Sequence, residues 1–412
     1  MKQSQLFSKT LRETPKDEEA INARILSRAG FINKLHAGVY TYLPLGLRVL
    51  NKIEGIVREE MSALGAEEFL MPALHPKEPW EKTKRWHSFD ALYRLQSRSK
   101  SEFALGPTHE EVLYPLLTHY IASYHDLPIA VYQIQTKFRD EARAKSGLLR
   151  GREFRMKDLY SFHAGQEDRD RYYDAAAAAY KKIFKRLGLD ALETKASGGT
   201  FSEESLEFQV ACPAGEDTIF FCLKCRTAVN KELVKNATPA CEKCGGSTEE
   251  AQSIEVGNIF PLKDQYAKDF GLTFKDKDGS VRFVSAGCFG LGTSRVMGTL
   301  VEVFHDEKGV LWPEAVAPFK AHVLEIGTAV KNYAAAFAEK LHASGIDALY
   351  DDRDDKTPGE KFADADLIGI PWRIVISEKT RTQKKIEVKA RHEDRPVLMD
   401  EDEFFARMKG NQ

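Results

Sequence analysis

The chain has 412 residues, 42% apolar and 30% charged, with 60 Lys and Arg against 62 Asp and Glu and a formal net charge of −2. That length has room for two or three domains of roughly 100–200 residues, and the near-neutral balance excludes nucleic-acid binding by bulk charge, leaving local patches. No apolar run reaches the ~18–20 residues of a membrane span, and the polar start MKQSQLFSKTLRETPKDEE lacks the apolar core of a signal peptide, so a cytoplasmic protein without a membrane partner is expected.

In chain order, residues 1–20 read as a charged arm. From Gly46, Leu50, Ile53, Val57, Met61 and Leu64 recur at three- and four-residue steps, which predicts an amphipathic helix closed by Gly65. A short strand over 68–71 stops at Pro72. Strands are predicted over 127–137 and 154–162, joined by a basic, glycine-containing loop. Residues 168–188 predict a helix, with acids early, bases late and an Ala-rich middle. Residues 212–252 hold five of the six cysteines. A strand over 281–286 precedes a Gly-rich segment and a helix over 294–304, and Pro313 and Pro318 mark a linker. Strands and helices then alternate: AHVLEIG, a helix over 329–343, ALYDD, a helix over 358–368, WRIVIS and KKIEVKA. This predicts a small mixed α/β domain with its own core.

Four groups of residues carry potential chemistry. Thr108-His109-Glu110-Glu111 follows Gly106-Pro107; a hydroxyl and two carboxylates there suit an ammonium group, and equally a capped helix start. Phe138-Arg139-Asp140-Glu141 leads into Arg143, Lys145, Arg150, Arg152, Arg155 and Lys157, six bases in fifteen residues with Glu153 the only acid among them. Arginine forks suit phosphate oxygens, Gly147 and Gly151 permit close approach, and Phe154 offers a stacking face; a solvated hairpin reads the same. Gly287-Cys288-Phe289-Gly290-Leu291-Gly292-Thr293-Ser294-Arg295, after a strand and before a helix, can form a phosphate cradle with Arg295 beside it. It is neither a Walker A loop nor a clean dinucleotide fingerprint. Cys222-x2-Cys225 and Cys241-x2-Cys244, fifteen residues apart, match a four-thiolate structural zinc site. Cys212 lies outside that pattern, as a buried thiol would.

In this order, the segments resemble class II aminoacyl-tRNA synthetases, specifically the bacterial type of the prolyl branch. GVYTYLPLGLRVLNKIEGIVREEM…EFLMP is similar to motif 1, LGPTHEEV to the amino-acid-binding loop, QTKFRDEARAKSGLLRGREFRMKDLYSFH to motif 2 and GCFGLGTSRV to motif 3. YDDRDDKTPGEKFADADLIGIPWRIVI is similar to the anticodon-binding domain. The resemblance covers nearly the whole chain. It implies an α+β catalytic domain, an antiparallel sheet flanked by helices, with a C-terminal mixed α/β anticodon-binding domain and a short four-cysteine insertion. The expected boundaries are 1–211 and 253–313 for the core, 212–252 for the insertion and 318–412 for the anticodon-binding domain.

The resemblance also implies roles. Arg139 holds the α-phosphate, Glu141 and the 143–152 loop contact ATP, Arg150 is a further phosphate ligand, Phe154 stacks on adenine and Arg295 sits near the γ-phosphate. Arg139, Glu141 and Arg295 are the catalytic candidates. Thr108 and Glu110, with Arg139, receive proline, and His163 and Cys288 line its pocket. Mg²⁺ bridges the phosphates. Glu207 and Asn258 are second-tier candidates. For the anticodon, Arg353, Lys361, Trp372 and Arg373 are candidates, because the acidic run Asp351-Asp352-Arg353-Asp354-Asp355 disfavours phosphate; the run itself reads as a solvated loop. The implied partners are tRNA(Pro), L-proline and a second copy of the chain.

Three departures matter. The family has Ser-His-Glu-Phe where Ser205-Leu206-Glu207-Phe208 stands, and Gly-His-Ile-Phe where Gly257-Asn258-Ile259-Phe260 stands. Asn can stand in for a neutral imidazole; Leu cannot. The segment 212–252 is too short for the family's alanyl-tRNA editing insertion, so no editing in cis is expected, with a separate trans-acting deacylase as a candidate partner. A non-catalytic synthetase-like binding protein, another class II enzyme, and a zinc-ribbon module fused to an unrelated enzyme remain rival readings.

Overall fold

The periodic segment from Leu50 to Met61 folds as helix α1, Pro44–Ala63, with Val49, Ile53, Val57 and Met61 fully buried on one face. Gly65 follows at φ +76°, a left-handed end that costs glycine nothing. The computed structural model describes residues 1–14, 18–199, 201–234 and 239–410. The chain divides into two compact units. One comprises Leu35–Tyr40 and Ile53–Thr299; the other gathers Met1–Lys34, Thr41–Lys52 and the chain from Leu300.

The first unit is built on a nine-stranded sheet. Its strands are β1 Glu67–Glu68, β2 Ile129–Phe138, β3 Glu153–His163, β4 Ala191–Ser197, β5 Glu204–Ala211, β6 Asp217–Phe221, β7 Thr227–Asn230, β8 Glu249–Pro261 and β9 Ser285–Leu291. Their order is β5-β4-β7-β6-β8-β9-β3-β2-β1, and β5 also pairs β8, so β4 to β8 close into a five-strand ring. The 212–252 segment therefore supplies strands to the central sheet rather than a separate module; residues 235–238 of it lie outside the described residues. Helices in this unit include α2 Glu110–Leu117 and α3 Gln166–Leu187. Its boundary falls within α4, Thr293–Val303. Ala176, Ala177 and Ala179 of the Ala-rich run are buried, and the same helix sets Tyr180 5.0 Å from Phe208 across the sheet.

Two strand expectations change. The predicted strand over 68–71 shortens to β1, because Met71 is held by side chains of β2: its N–H donates to Gln133 Oε1 at 3.0 Å and its carbonyl accepts from Gln135 Nε2 at 2.8 Å. The Gly-rich run after the predicted 281–286 strand is itself strand β9. A Cβ on Gly287 would meet the Phe289 ring at 2.7 Å, so this glycine serves close packing rather than a phosphate loop.

The second unit carries a five-stranded sheet: β10 Ala321–Ile326, β11 Ala348–Asp351, β12 Trp372–Ser377, β13 Ile386–Ala390 and β14 Val397–Met399, in the order β11-β10-β12-β13-β14. The first three are parallel and the last two join antiparallel. Helices α5 Lys331–Ala343, α6 Pro358–Ile368 and α7 Glu401–Gly410 accompany it; β14 and α7 were not predicted. The expected charged arm is tied down. Met1's ammonium donates to Ala348 O at 2.9 Å, and Gln3 Oε1 lies 2.7 Å from His322 Nε2. Residues 15–17 of it lie outside the described residues.

The four anticodon candidates face inward. Arg353 grips fully buried Asp351 at 2.8 and 2.7 Å. Buried Lys361 donates to Glu325 O at 2.7 Å and Asp351 O at 3.2 Å. Trp372 is core, its Nε1–H on Glu314 at 2.9 Å. Arg373 pairs with Asp366 at 2.7 Å. The acidic run is thus a buried anchor at its first residue and an exposed turn at Asp354 and Asp355, and each of the four candidate side chains is held by partners within the fold. Among the described residues, no helix is long and apolar enough to cross a membrane.

Candidate active site

Side chains alternate across a strand, and β3 uses that alternation to separate two tasks. Phe154, Met156, Asp158 and Tyr160 face a cavity of about 270 Å³. Arg155, Lys157 and Leu159 face away: Lys157 Nζ donates to Phe289 O at 2.9 Å and contacts the Tyr180 hydroxyl, and burial brings its pKa down to about 7. From β9, Cys288 and Gly290 share the cavity face, and from β8 so do Asn258 and Phe260. Of the six bases seen in the sequence, Arg150 alone lines the cavity.

One end of the cavity is cationic. Arg139 lies with its guanidinium 5.2 Å from the Phe154 ring centre, and its buried Nε has no hydrogen-bond partner among the described residues. Burial, then the charge of Arg295, lowers its pKa. Arg295 donates through Nε to Leu149 O at 2.8 Å and through Nη1 to Glu255 at 3.1 Å. Arg150 is held between Glu141, at 2.9 Å, and Glu216, at 2.8 Å.

The other end is acidic and small. The Thr108 hydroxyl donates to Glu110 Oε2, and Cys288 Sγ lies 3.6 Å from Glu110 Oε1. Thr108 does not cap α2; the residue at that position is His109. Glu111 points elsewhere, onto Arg85 at 2.8 Å and Thr83 at 3.0 Å, and burial pushes its pKa up to about 7 against the pull of Arg85.

Between the ends runs a buried network that the sequence reading missed. Lys137 Nζ donates to Asp158 Oδ2 at 2.7 Å and to His109 Nδ1 at 2.5 Å. His109 Nε2 donates to Pro72 O at 3.0 Å, and its backbone N–H donates to the Tyr160 hydroxyl at 3.2 Å. That bonding requires a neutral imidazole protonated on Nε2, and burial, then Lys137, holds its pKa far below the usual value. The loop bearing Thr108 and Glu110 is thereby fixed at the residue between them. The available signal was period two: Asp158 shares a strand face with Phe154 and Met156.

Other sequence candidates sort differently. His163 lies at the far end of β3, 2.7 Å from Asp168, and is not part of the cavity wall. Glu207 stands behind the wall, bonded to Asn258 at 3.2 Å, Gln209 at 2.8 Å and Asn230 at 3.3 Å. Burial, then Glu255, raises its pKa to about 7. The sulfurs of Cys222, Cys225, Cys241 and Cys244 all lie within 4.8 Å of one another. Cys212 is buried outside that group.

The cavity thus carries guanidinia at one end and a hydroxyl–carboxylate pair at the other, on strands that pair antiparallel. Residues 93–304 match the class II core domain of tRNA synthetases (G, H, P, S and T), and residues 315–411 match an anticodon-binding domain. The protein is a class II aminoacyl-tRNA synthetase. It is 39% identical to the proline--tRNA ligase of Anaplasma phagocytophilum over 427 aligned positions, covering 99% of this chain and 100% of that one. It is 33% identical to that of Acidithiobacillus ferrooxidans over 99% of each chain, in an alignment stretched to 565 positions. Prolyl-tRNA synthetase from Cryptosporidium parvum has the same fold, with a TM-score of 0.80 at 17% identity, covering 95% of this chain and 76% of that one. The chain belongs to the prolyl-tRNA synthetase family.

Proposed function

We infer that this cavity binds ATP and L-proline side by side, forms prolyl-adenylate and passes the prolyl group to tRNA(Pro). The carrying observation is that Arg139 and Arg295 line the same cavity as Thr108, Glu110 and Cys288. In this reading proline's ammonium sits on Thr108 and Glu110, and its carboxylate turns toward Arg139. The carboxylate oxygen attacks the α-phosphorus in line, the bond to the β-phosphate oxygen breaks, and pyrophosphate leaves with that electron pair. Arg139 neutralises charge on the α-phosphate, Arg295 takes the γ-phosphate end, and Phe154 stacks on adenine. Positioning and electrostatics carry the rate, without a protein nucleophile.

Glu141 and Glu255, hard oxygen donors on the cavity wall, suit Mg²⁺ held mainly by phosphate oxygens. On ATP binding, Arg150 would exchange a carboxylate partner for phosphate.

The four clustered thiols suit a closed, structural Zn²⁺ site. Exposed Leu70 and Leu74, after α1, are consistent with a homodimer. Alignment over 427 positions with one relative and 565 with another supports the reading that this chain lacks an editing insertion. Proline and alanine differ by apolar contact worth only ~1–3 kcal/mol per methylene, so clearing alanyl-tRNA would fall to a trans-acting deacylase.

The test is ATP–pyrophosphate exchange with proline, alanine, threonine, histidine and glycine. Exchange with proline, with alanine as a weak second, is expected. Exchange with none, from folded protein, returns the non-catalytic reading.

A further inference from the structure

We propose that the four-cysteine centre positions the wall of the cavity, acting through Asn230 and Glu207 on Asn258, without touching substrate. This rests on the reading above that the four thiolates hold zinc. Beyond the clustered sulfurs, the backbone has the form of a paired metal knuckle. Arg226 N–H donates to Cys222 O at 3.0 Å, and Gly245 N–H donates to Cys241 O at 2.8 Å. The residue after the second cysteine is left-handed in both turns, Arg226 at φ +59° and Gly245 at φ +70°. Two unrelated stretches of sequence thus repeat one turn around one cluster.

The cluster sits where it can govern the five-strand ring. Cys222 and Cys225 form the turn from β6 to β7, and Cys241 and Cys244 lie on the connection from β7 to β8. Strand β7 has only four residues. At its first residue, the Thr227 hydroxyl lies 3.1 Å from Cys225 Sγ and 3.7 Å from Cys241 Sγ. At its last, Asn230 Nδ2 donates to Glu207 Oε2 at 3.3 Å. Glu207 Oε1 in turn accepts from Asn258 Nδ2 at 3.2 Å, and Asn258 lines the cavity. A strand this short has little hold of its own on register, because it pairs only three residues with each neighbour. Metal at one end therefore sets where Asn230 stands at the other. Asn258 is an amide, so it needs an acceptor to orient it, and Glu207 supplies one only while Asn230 and Gln209 hold Glu207.

The experiment uses full-length protein, with metal content by mass spectrometry, thermal unfolding and exchange kinetics. One zinc per chain is expected. Removing it with a chelator is expected to raise KM in exchange about 10-fold while kcat is retained, the scale of effects for groups supporting a site from behind. Asn230→Ala is expected to keep its zinc and reproduce that KM rise. Asn230→Ala stripped of zinc is expected to show no further rise, because both changes cut one chain of contacts. If the full-length protein binds no zinc, the metal reading fails and the proposal falls with it. If zinc binds, but its removal lowers the melting temperature and leaves KM unchanged, the proposal alone is overturned. Additive KM effects would likewise overturn it.

Discussion

Arg155 turns its guanidinium away from the cavity and onto Glu54, with Nε 3.0 Å from Oε1 and Nη2 3.1 Å from Oε2. The Thr293 hydroxyl donates to the same Oε1 at 3.2 Å, and Arg155 N–H donates to Ser294 Oγ at 3.1 Å. One buried carboxylate on α1 thus gathers the strand bearing Phe154 and the start of the helix bearing Arg295. Glu54→Gln leaves the guanidinium without a counter-charge. Removing one partner of a buried pair costs roughly 3–5 kcal/mol, and the part-exposed Arg155 places this case near the lower figure. Urea unfolding should show that loss, while KM for ATP stays close to the wild-type value at temperatures where the variant is folded.

Much of this was legible in the sequence, for identifiable reasons. The helix from Pro44 and the strands bearing Arg139 and Phe154 announce themselves by period and punctuation, and the two C-x2-C pairs by spacing. What was not legible depends on contacts distant in sequence. Nothing local says that Arg155 meets Glu54, or that Lys361 and Arg353 turn inward onto Asp351. Charge was read as exposure; burial with a partner is the alternative, and only the fold chooses between them. The glycines around Cys288 misled similarly, because close packing and phosphate cradling call for the same residue.

Arg139 should separate binding from folding. Among the described residues its Nε lacks a partner, and Arg295 stands nearby with the same charge, so the folded protein gains little from its presence without an anion. Arg139→Gln is expected to melt no lower than wild type without ligand. It should lose most of the stabilisation that ATP confers, and kcat/KM in exchange should fall by about 10²-fold or more. A thermal-shift titration with ATP, beside the exchange assay, checks both halves.

His322 gives a pH dependence of defined sign. Burial brings its pKa down to about 4, with Asp351 pulling upward and Arg353 downward. Between the ordinary ~6.5 and that value the unfolded chain takes the proton first, so stability from this group is complete above pH 6.5 and lost as pH falls toward 4. At ~1.4 kcal/mol per pK unit the loss approaches about 3 kcal/mol. Buried Glu111 and Glu207, raised to about 7, work in the opposite sense over the same range, because the folded state protonates them first. The comparison is therefore with His322→Gln, which can still donate to Gln3. The stability difference between the two proteins, from urea midpoints at pH 7 and pH 4.5, should narrow or reverse on acidification.

Arg353 tests whether the second unit's arginines bind RNA or hold the fold. Its side chain is 15% exposed and makes a two-pronged bond to Asp351, which is fully buried, and a further pair with Asp364 at 2.9 Å. Arg353→Ala leaves Asp351 buried with Lys361 as its remaining cation, 3.9 Å away. The expected cost is roughly 3 kcal/mol in unfolding free energy. A side chain that contacts tRNA phosphate would, on removal, lower the slope of log affinity against log salt by about one. Here that slope should not change, because the guanidinium is already spent on carboxylates. Binding of tRNA(Pro) across a salt series, at a temperature where the variant is folded, decides between the two: lost affinity, with or without a reduced slope, assigns Arg353 to RNA, and unchanged affinity and slope with lowered stability assign it to the fold.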